Sequence, residues 1–174
     1  GLPSDVLSVL TNFPTEYISH KELDKEELWK KLVKSSFNED IVCCTSLFDS
    51  SKTSKVGIVA GHAFSMFSCK EGTVKGKNIR LLQIRNPWGY KEWTGPWSDG
   101  SKEWTSEAKK VFGSHSNKDD GTFWMEYNDY LQYFIATEIC MITSPLITKT
   151  VRVPEEYVIR PSITELVVYD DITI

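Results

Sequence analysis

Two apolar, β-branched runs joined by a polar segment constrain the fold more than any other feature of this chain. The first run covers residues 56–68 and the second covers residues 79–86, and residues 70–77 between them are rich in Lys, Glu and Gly. Runs of this length and composition are typical of β-strands. The sequence therefore predicts two antiparallel neighbours in one sheet, with residues 70–77 as their connecting loop.

Two polar side chains mark the ends of these predicted strands. His62 lies in the first run, after Gly61, which leaves space for a close neighbour, and Asn86 ends the second run before Pro87, which cannot donate to a ladder. In an antiparallel pair, two residues that are 24 apart (86 minus 62) can face each other. Trp88 would then lie beside the pair and could shield a hydrogen bond between imidazole and amide from water.

An imidazole paired with an amide suits nucleophilic catalysis by a thiol. A cysteine attacks a peptide carbonyl only as thiolate, so it needs a base that takes its proton and a group that holds the base in the right tautomer. The Cys-His-Asn variant of the catalytic triad uses these groups. Taken alone, a His or an Asn near a strand is more often structural than catalytic.

Four longer segments carry a resemblance to a known family. GHAFS, RNPWG, EWTGPWSDGSKEW and DGTFWMEYNDYLQYF follow one another along the chain. Together they resemble the second half of the calpain protease core, from about residue 41 to residue 143, and more loosely the papain superfamily. The resemblance implies an α+β fold, in which an antiparallel β-sheet with a few helices forms one half of a papain-like cysteine protease core. It also implies that His62 is the catalytic base, that Asn86 orients it, and that Trp88 gates the cleft in response to calcium.

The nucleophile of such a triad is missing from the sequence. Cys43 and Cys44 lie in an apolar run where they are expected to be small buried hydrophobes, and neither they nor Cys69 and Cys140 open a helix. We therefore expect a partner, a Cys-bearing protease subdomain, and a polypeptide substrate bound between the two halves. The alternative is a non-catalytic calcium-binding or scaffolding module that has kept the fold.

Acidic side chains in two loops suggest a cation site. Glu92 and Asp99 flank a Trp-rich stretch, and Asp120 precedes the last predicted strands. Loop carboxylates suit calcium, although most are merely solvated. The calpain resemblance implies a calcium site built from Glu92, Asp99, Asp120 and the backbone carbonyl of Lys118. Because Thr122 stands where the family has Glu, we expect calcium to bind weakly or not at all.

The distribution of apolar and polar residues predicts further helices and strands and a division of the chain into three segments. Asp24 opens a capping box, and Trp29, Val33 and Phe37 form an apolar stripe that is expected to pack on the sheet from a helix over residues 24–37. Further strands are predicted at 41–48, 121–126 and 136–142, with a helix over 128–134. Residues 1–40 form an opening stretch with the amphipathic helix, and residues 41–144 form the calpain-like subdomain. Residues 145–174 are a β-rich extension or the start of a following domain.

Composition excludes several classes of protein. The net charge is −4 and the basic residues are dispersed, so no nucleic-acid partner is predicted. No apolar stretch approaches the roughly 20 residues that span a bilayer, and no secretory signal opens the sequence. Four cysteines without CxxC spacing indicate neither a zinc site nor a disulfide framework. A reducing cytoplasm is therefore the expected location.

Overall fold

A six-stranded antiparallel sheet organises the computed structural model, which describes residues 2–113 and 117–142. The strands are β1 (Thr15–Ser19), β2 (Ile41–Ser46), β3 (Ala63–Val74), β4 (Lys77–Arg85), β5 (Thr122–Glu126) and β6 (Phe134–Cys140). The α-helices in the described residues are α1 (Pro3–Thr11), α2 (Lys25–Phe37), α3 (Ser50–Thr53), α4 (Ser106–Phe112) and α5 (Tyr127–Tyr133). The predicted α+β class is confirmed, and no described helix has the length and apolar character that a membrane crossing requires.

The strand order is β1-β6-β2-β3-β4-β5, and every neighbouring pair is antiparallel. Strands β3 and β4 form the predicted pair, but residues 70–77 are mostly strand and not a loop. The connection is a two-residue turn at Lys75 and Gly76, whose φ angles of 51° and 73° are the left-handed values of a type I′ hairpin. Strand β3 begins at Ala63, later than the predicted residue 56, because a short 3₁₀ helix and a turn occupy residues 54–62.

Helix α2 begins where its sequence predicts but buries another face. The Asp24 carboxylate caps it by accepting hydrogen bonds from two backbone N–H groups of the first turn, at 2.9 and 3.2 Å. Trp29 is buried as expected, whereas Val33 is 43% exposed and Phe37 is 87% exposed, so the predicted stripe is wrong. A spacing of four residues advances about 40° beyond a full turn each time, so Phe37 has rotated away from the sheet. The buried residues of the helix are Leu28, Trp29, Leu32 and Ser35.

The other predicted elements are present with shifted ends, and four further α-helices and strands were not predicted. Helix α5 starts at Tyr127 and β6 at Phe134, each earlier than predicted. The unpredicted elements are helix α1, strand β1, helix α3 and helix α4. Strand β1 lies in the same sheet as the later strands, through its pairing with β6. The strands predicted after residue 144 lie outside the described residues.

Candidate active site

The sheet brings His62 and Asn86 together at one end of the β3–β4 hairpin. His62 immediately precedes β3 and Asn86 immediately follows β4, and the register that pairs Ser65 with Arg85 places these strand ends side by side. The Nε2 atom of His62 lies 3.2 Å from the Oδ1 atom of Asn86. Asn86 is fully buried, so its amide is held in a fixed place beneath a half-buried imidazole.

The orientation of the Asn86 amide is determined by its other partners. Its Nδ2 group donates to the backbone carbonyls of Tyr90, at 2.8 Å, and Lys91, at 3.1 Å, while its Oδ1 atom accepts from the backbone N–H of Trp88. Because Oδ1 can only accept, the Nε2 atom of His62 must carry the hydrogen. The neutral ring then has its lone pair on Nδ1, which is the nitrogen able to take a proton from a nucleophile.

Aromatic side chains surround this pair. The ring of Trp88 lies 4.5 Å from the His62 ring, between centroids, and Phe64 packs edge-on against the imidazole at 5.1 Å. Tyr90 stacks on Trp88 at 5.9 Å with an interplanar angle of 29°. Trp88 is 47% exposed, so it covers the His62 ring on the solvent side, and the ammonium of Lys91 lies over its ring at 5.5 Å. Tyr90 and its carbonyl were missed in the sequence, because a backbone acceptor leaves no side-chain signature.

Each of the four cysteines lies in a strand, away from any helix start. Burial raises the pKa of the Cys43 thiol to about 11, with smaller contributions from Glu138 and Cys140. Burial also raises the pKa of Cys44 well above its usual value and raises that of Cys69. Cys140 is fully buried. None of the four is hydrogen-bonded to His62, and a raised pKa opposes the thiolate that nucleophilic attack needs.

Comparison with known proteins identifies the family of the chain. The model of the family described as calpain family cysteine protease matches residues 1–141. The chain belongs to the calpain family. Calpain-9 of Rattus norvegicus is 35% identical over 125 residues, which are 68% of this chain and 18% of that protein. The calpain-1 catalytic subunit of Gallus gallus is 37% identical over 124 residues, 69% of this chain and 17% of the subunit.

A more distant calpain covers more of the chain. Calpain clp-4 of Caenorhabditis elegans is 34% identical over 152 residues, which are 84% of this chain and 21% of the worm protein. The chain therefore spans about a fifth of the length of these relatives. The predicted family is confirmed by the family match and by relatives at this level of identity.

The acidic loops of this calpain-family domain lie close to each other, and backbone groups already occupy several of their oxygens. Glu92 Oε1 accepts hydrogen bonds from the backbone N–H groups of Asp120, at 2.9 Å, and Gly121, at 2.7 Å. Hydrogen bonds from Thr122 lower the pKa of Asp120. The backbone carbonyl of Lys118 accepts from the Asp120 N–H at 2.8 Å. These bonds shape the loop without any ion.

Asp99 is the exception among these acids. Its Oδ2 atom is buried and has no hydrogen-bond partner among the residues that the structure describes. Burial raises the pKa of Asp99 to about 6, and the negative charges of Glu92 and Asp120 add to the effect. Within residues 2–113 and 117–142, no group of three or more His, Cys, Asp and Glu side chains is close enough to hold a metal ion. The donors are thus of the right kind for calcium but are not gathered around one point.

Proposed function

We propose that this chain is the His/Asn-bearing half of a calpain-type cysteine endopeptidase, and that a Cys-bearing half completes the site. The observation that carries the proposal is the 3.2 Å contact between His62 Nε2 and Asn86 Oδ1, with the amide orientation set by its other hydrogen bonds. This arrangement leaves Nδ1 of the imidazole as the proton acceptor. The buried amide keeps the imidazole in one orientation while Nδ1 repeatedly gains and loses a proton.

The reaction would use His62 first as a base and then as an acid. His62 Nδ1 takes the thiol proton, and the thiolate attacks the scissile carbonyl of a polypeptide. The imidazolium then gives its proton to the leaving amine, which departs and leaves an acyl-enzyme. A water molecule that loses a proton to Nδ1 hydrolyses the thioester and regenerates the thiol. Asn86 keeps the ring in the productive tautomer throughout.

The aromatic cover would control entry to this cleft. Trp88 lies over His62 and is exposed on its outer side, so it occupies space near the imidazole that substrate or the Cys-bearing half would need. We propose that Trp88 is displaced when the two halves close. Support comes from its position and from its being attached by stacking instead of by a side-chain hydrogen bond in the described residues.

The test is hydrolysis of casein after a Cys-bearing half has been supplied from the parent polypeptide. His62→Ala should remove most of kcat, since positioned acid-base groups contribute about 10² to 10⁴-fold. Asn86→Ala should cost less, because it removes an orienter and not the base. Asn78→Ala is a matched control on the exposed hairpin and should keep full activity. Full kcat in the His62→Ala protein would refute the proposal.

A second candidate function, a calcium-binding or scaffolding module, is favoured by Asp99. Its unpartnered, buried Oδ2 atom and its raised pKa show a carboxylate whose charge is poorly compensated. A calcium ion bound by Glu92, Asp99, Asp120 and the Lys118 carbonyl would supply the missing positive charge. Calorimetric titration of the native chain and of Asp99→Asn would test this, and equal affinities would place any bound ion elsewhere.

We also propose a reducing compartment such as the cytoplasm. The four cysteines are free thiols in the structure, which supports this location. Alkylation of the protein in denaturant directly after cell lysis, followed by mass measurement, would test this location: four modified cysteines are expected, and a disulfide-linked pair would contradict the proposal.

A further inference from the structure

A single buried serine ties down the backbone of His62. The hydroxyl oxygen of Ser46 accepts a hydrogen bond from the His62 backbone N–H at 3.0 Å and donates to the Val59 carbonyl at 2.6 Å. The backbone N–H of Ser46 donates to the His62 carbonyl at 3.0 Å. Ser46 is the last residue of β2 and is completely buried. One residue thus holds His62 from both sides of its Cα atom.

The direction of these bonds is forced by the groups involved. A backbone N–H can only donate, so the Ser46 oxygen must accept from His62, and the hydroxyl hydrogen is directed to the Val59 carbonyl at 2.6 Å, with the His62 carbonyl a longer alternative acceptor at 3.2 Å. Ordinary strand pairing would supply a backbone carbonyl for the His62 N–H. Here the ladder between β2 and β3 ends at Thr45 and Ala63, and the Ser46 side chain takes the place of the next backbone acceptor.

The segment before His62 is held first at Ile58, which is buried in the core and donates its backbone N–H to the Thr53 carbonyl at 3.0 Å. Residues 57–62 are a turn that contains Gly57 and Gly61, both with left-handed φ angles of 80° and 57°. Gly61, immediately before His62, donates to the Leu47 carbonyl at 2.8 Å. The backbone N–H and carbonyl of His62 itself are both held by Ser46.

We propose that Ser46 is a positioning residue, whose hydroxyl sets the distance between the His62 ring and Asn86. The inference rests on the proposed function for its catalytic meaning, but not for its geometry. Loss of the hydroxyl would leave the His62 N–H and the Val59 carbonyl without this partner in a partly buried place. The turn would shift to satisfy them, and a displacement of a few tenths of an ångström would lengthen the 3.2 Å bond beyond hydrogen-bond range.

The first experiment measures amide hydrogen exchange by NMR on the whole chain, native and Ser46→Ala. The native His62 amide should be protected, and in Ser46→Ala it should exchange roughly tenfold faster or more, as expected for a lost buried hydrogen bond. ¹⁵N signals of the ring should report mainly the Nε2–H tautomer in the native chain and a mixed population in Ser46→Ala. The native measurement stands even if the variant does not fold, because an unprotected His62 amide would already overturn the proposal.

Two further variants separate positioning from general stability. Ser46→Thr keeps the hydroxyl and should restore both the exchange rate and the tautomer. Ser35→Ala removes the hydroxyl of another buried serine, in helix α2, and should leave the His62 signals unchanged even if it lowers stability. A folded Ser46→Ala chain with native His62 ring signals, or a failed rescue by a folded Ser46→Thr chain, would refute the role.

Kinetics with a Cys-bearing half distinguish this inference from the proposed function. Ser46→Ala should lower kcat by about tenfold with little change in KM, and Ser46→Thr should recover it. If the ring signals shift in Ser46→Ala but His62→Ala keeps full activity, the function fails and the positioning role stands. If His62→Ala is inactive while Ser46→Ala keeps native kcat, the positioning role fails and the function stands.

Discussion

Hydrogen bonds that link His20, Thr137 and Tyr130 predict that Thr137→Val lowers the free energy of unfolding. His20 Nδ1 lies 2.9 Å from the Phe134 carbonyl, so it carries the hydrogen in the neutral ring. His20 Nε2 must therefore accept from the Thr137 hydroxyl, at 2.8 Å, and Thr137 in turn accepts from the Tyr130 hydroxyl, at 2.6 Å. Valine has the shape of threonine and keeps the strand preference, so the substitution removes only these two bonds.

The expected cost follows from the groups that lose their strong hydrogen bond, since Tyr130 keeps only an interaction with the weakly hydrogen-bonding thiol of Cys44. A buried polar group that loses its hydrogen bond costs about 1–3 kcal/mol. Tyr130 is fully buried and should cost roughly 2 kcal/mol, whereas His20 is half-buried and should cost roughly 1 kcal/mol, because water can reach part of it. We expect Thr137→Val to lower the free energy of unfolding by about 3 kcal/mol in total.

The assay is urea unfolding followed by far-UV circular dichroism, with a double-mutant cycle. Tyr130→Phe deletes the hydroxyl whose bond to Thr137 is lost in Thr137→Val. The double variant should therefore lose less unfolding free energy than the two single losses added together, by about 1 kcal/mol or more. Thr73→Val, at an exposed position of β3, is the matched control and should change stability by less than about 0.5 kcal/mol. A Thr137→Val cost below about 0.5 kcal/mol, or strict additivity, would refute the reasoning.

Three more predictions follow from other features. Burial lowers the pKa of His20, so the unfolded chain binds more protons and stability should fall as pH drops below about 6.5, a dependence that His20→Gln should weaken in urea melts at pH 5 to 8. The isolated chain should not hydrolyse casein at any calcium concentration, and turnover that disappears in Cys43→Ala or Cys44→Ala would contradict this. In calorimetric titrations calcium should bind weakly, more tightly in Thr122→Glu and less tightly in Asp120→Asn; tight binding that is indifferent to Asp120→Asn would contradict the proposed ligands.

The sequence was most predictive where local chemistry decides the structure. Asp24 caps α2 because a short carboxylate side chain reaches the free N–H groups of a first turn, whatever the rest of the fold. The facing of His62 and Asn86 could be foreseen because both flank strong strand signals joined by a short segment. Their contact is observed, while their catalytic role stays a prediction.

Features that depend on tertiary packing could not be predicted from the sequence. The exposed Phe37 shows that apolar residues at regular spacing do not by themselves define the buried face of α2. Strand β1 has only five residues and pairs with a strand from the other end of the domain, so no local pattern announces its partner. The Ser46 hydroxyl contacts His62, which lies 16 residues further along the chain, while the Tyr90 carbonyl contacts Asn86 only four residues before it through a backbone group that any residue would provide.

The position of β6 between β1 and β2 also governs when the molecule can fold during synthesis. Strand β1 begins at Thr15 and β6 at Phe134, so 119 residues (134 minus 15) separate the starts of two strands that must pair. Until the ribosome has released β6, β1 has no neighbour in the sheet and β2 has an open edge. Such long-range pairing slows folding and leaves strand edges free to join other chains. A nascent polypeptide stalled before residue 134 would therefore be a candidate for aggregation or chaperone capture.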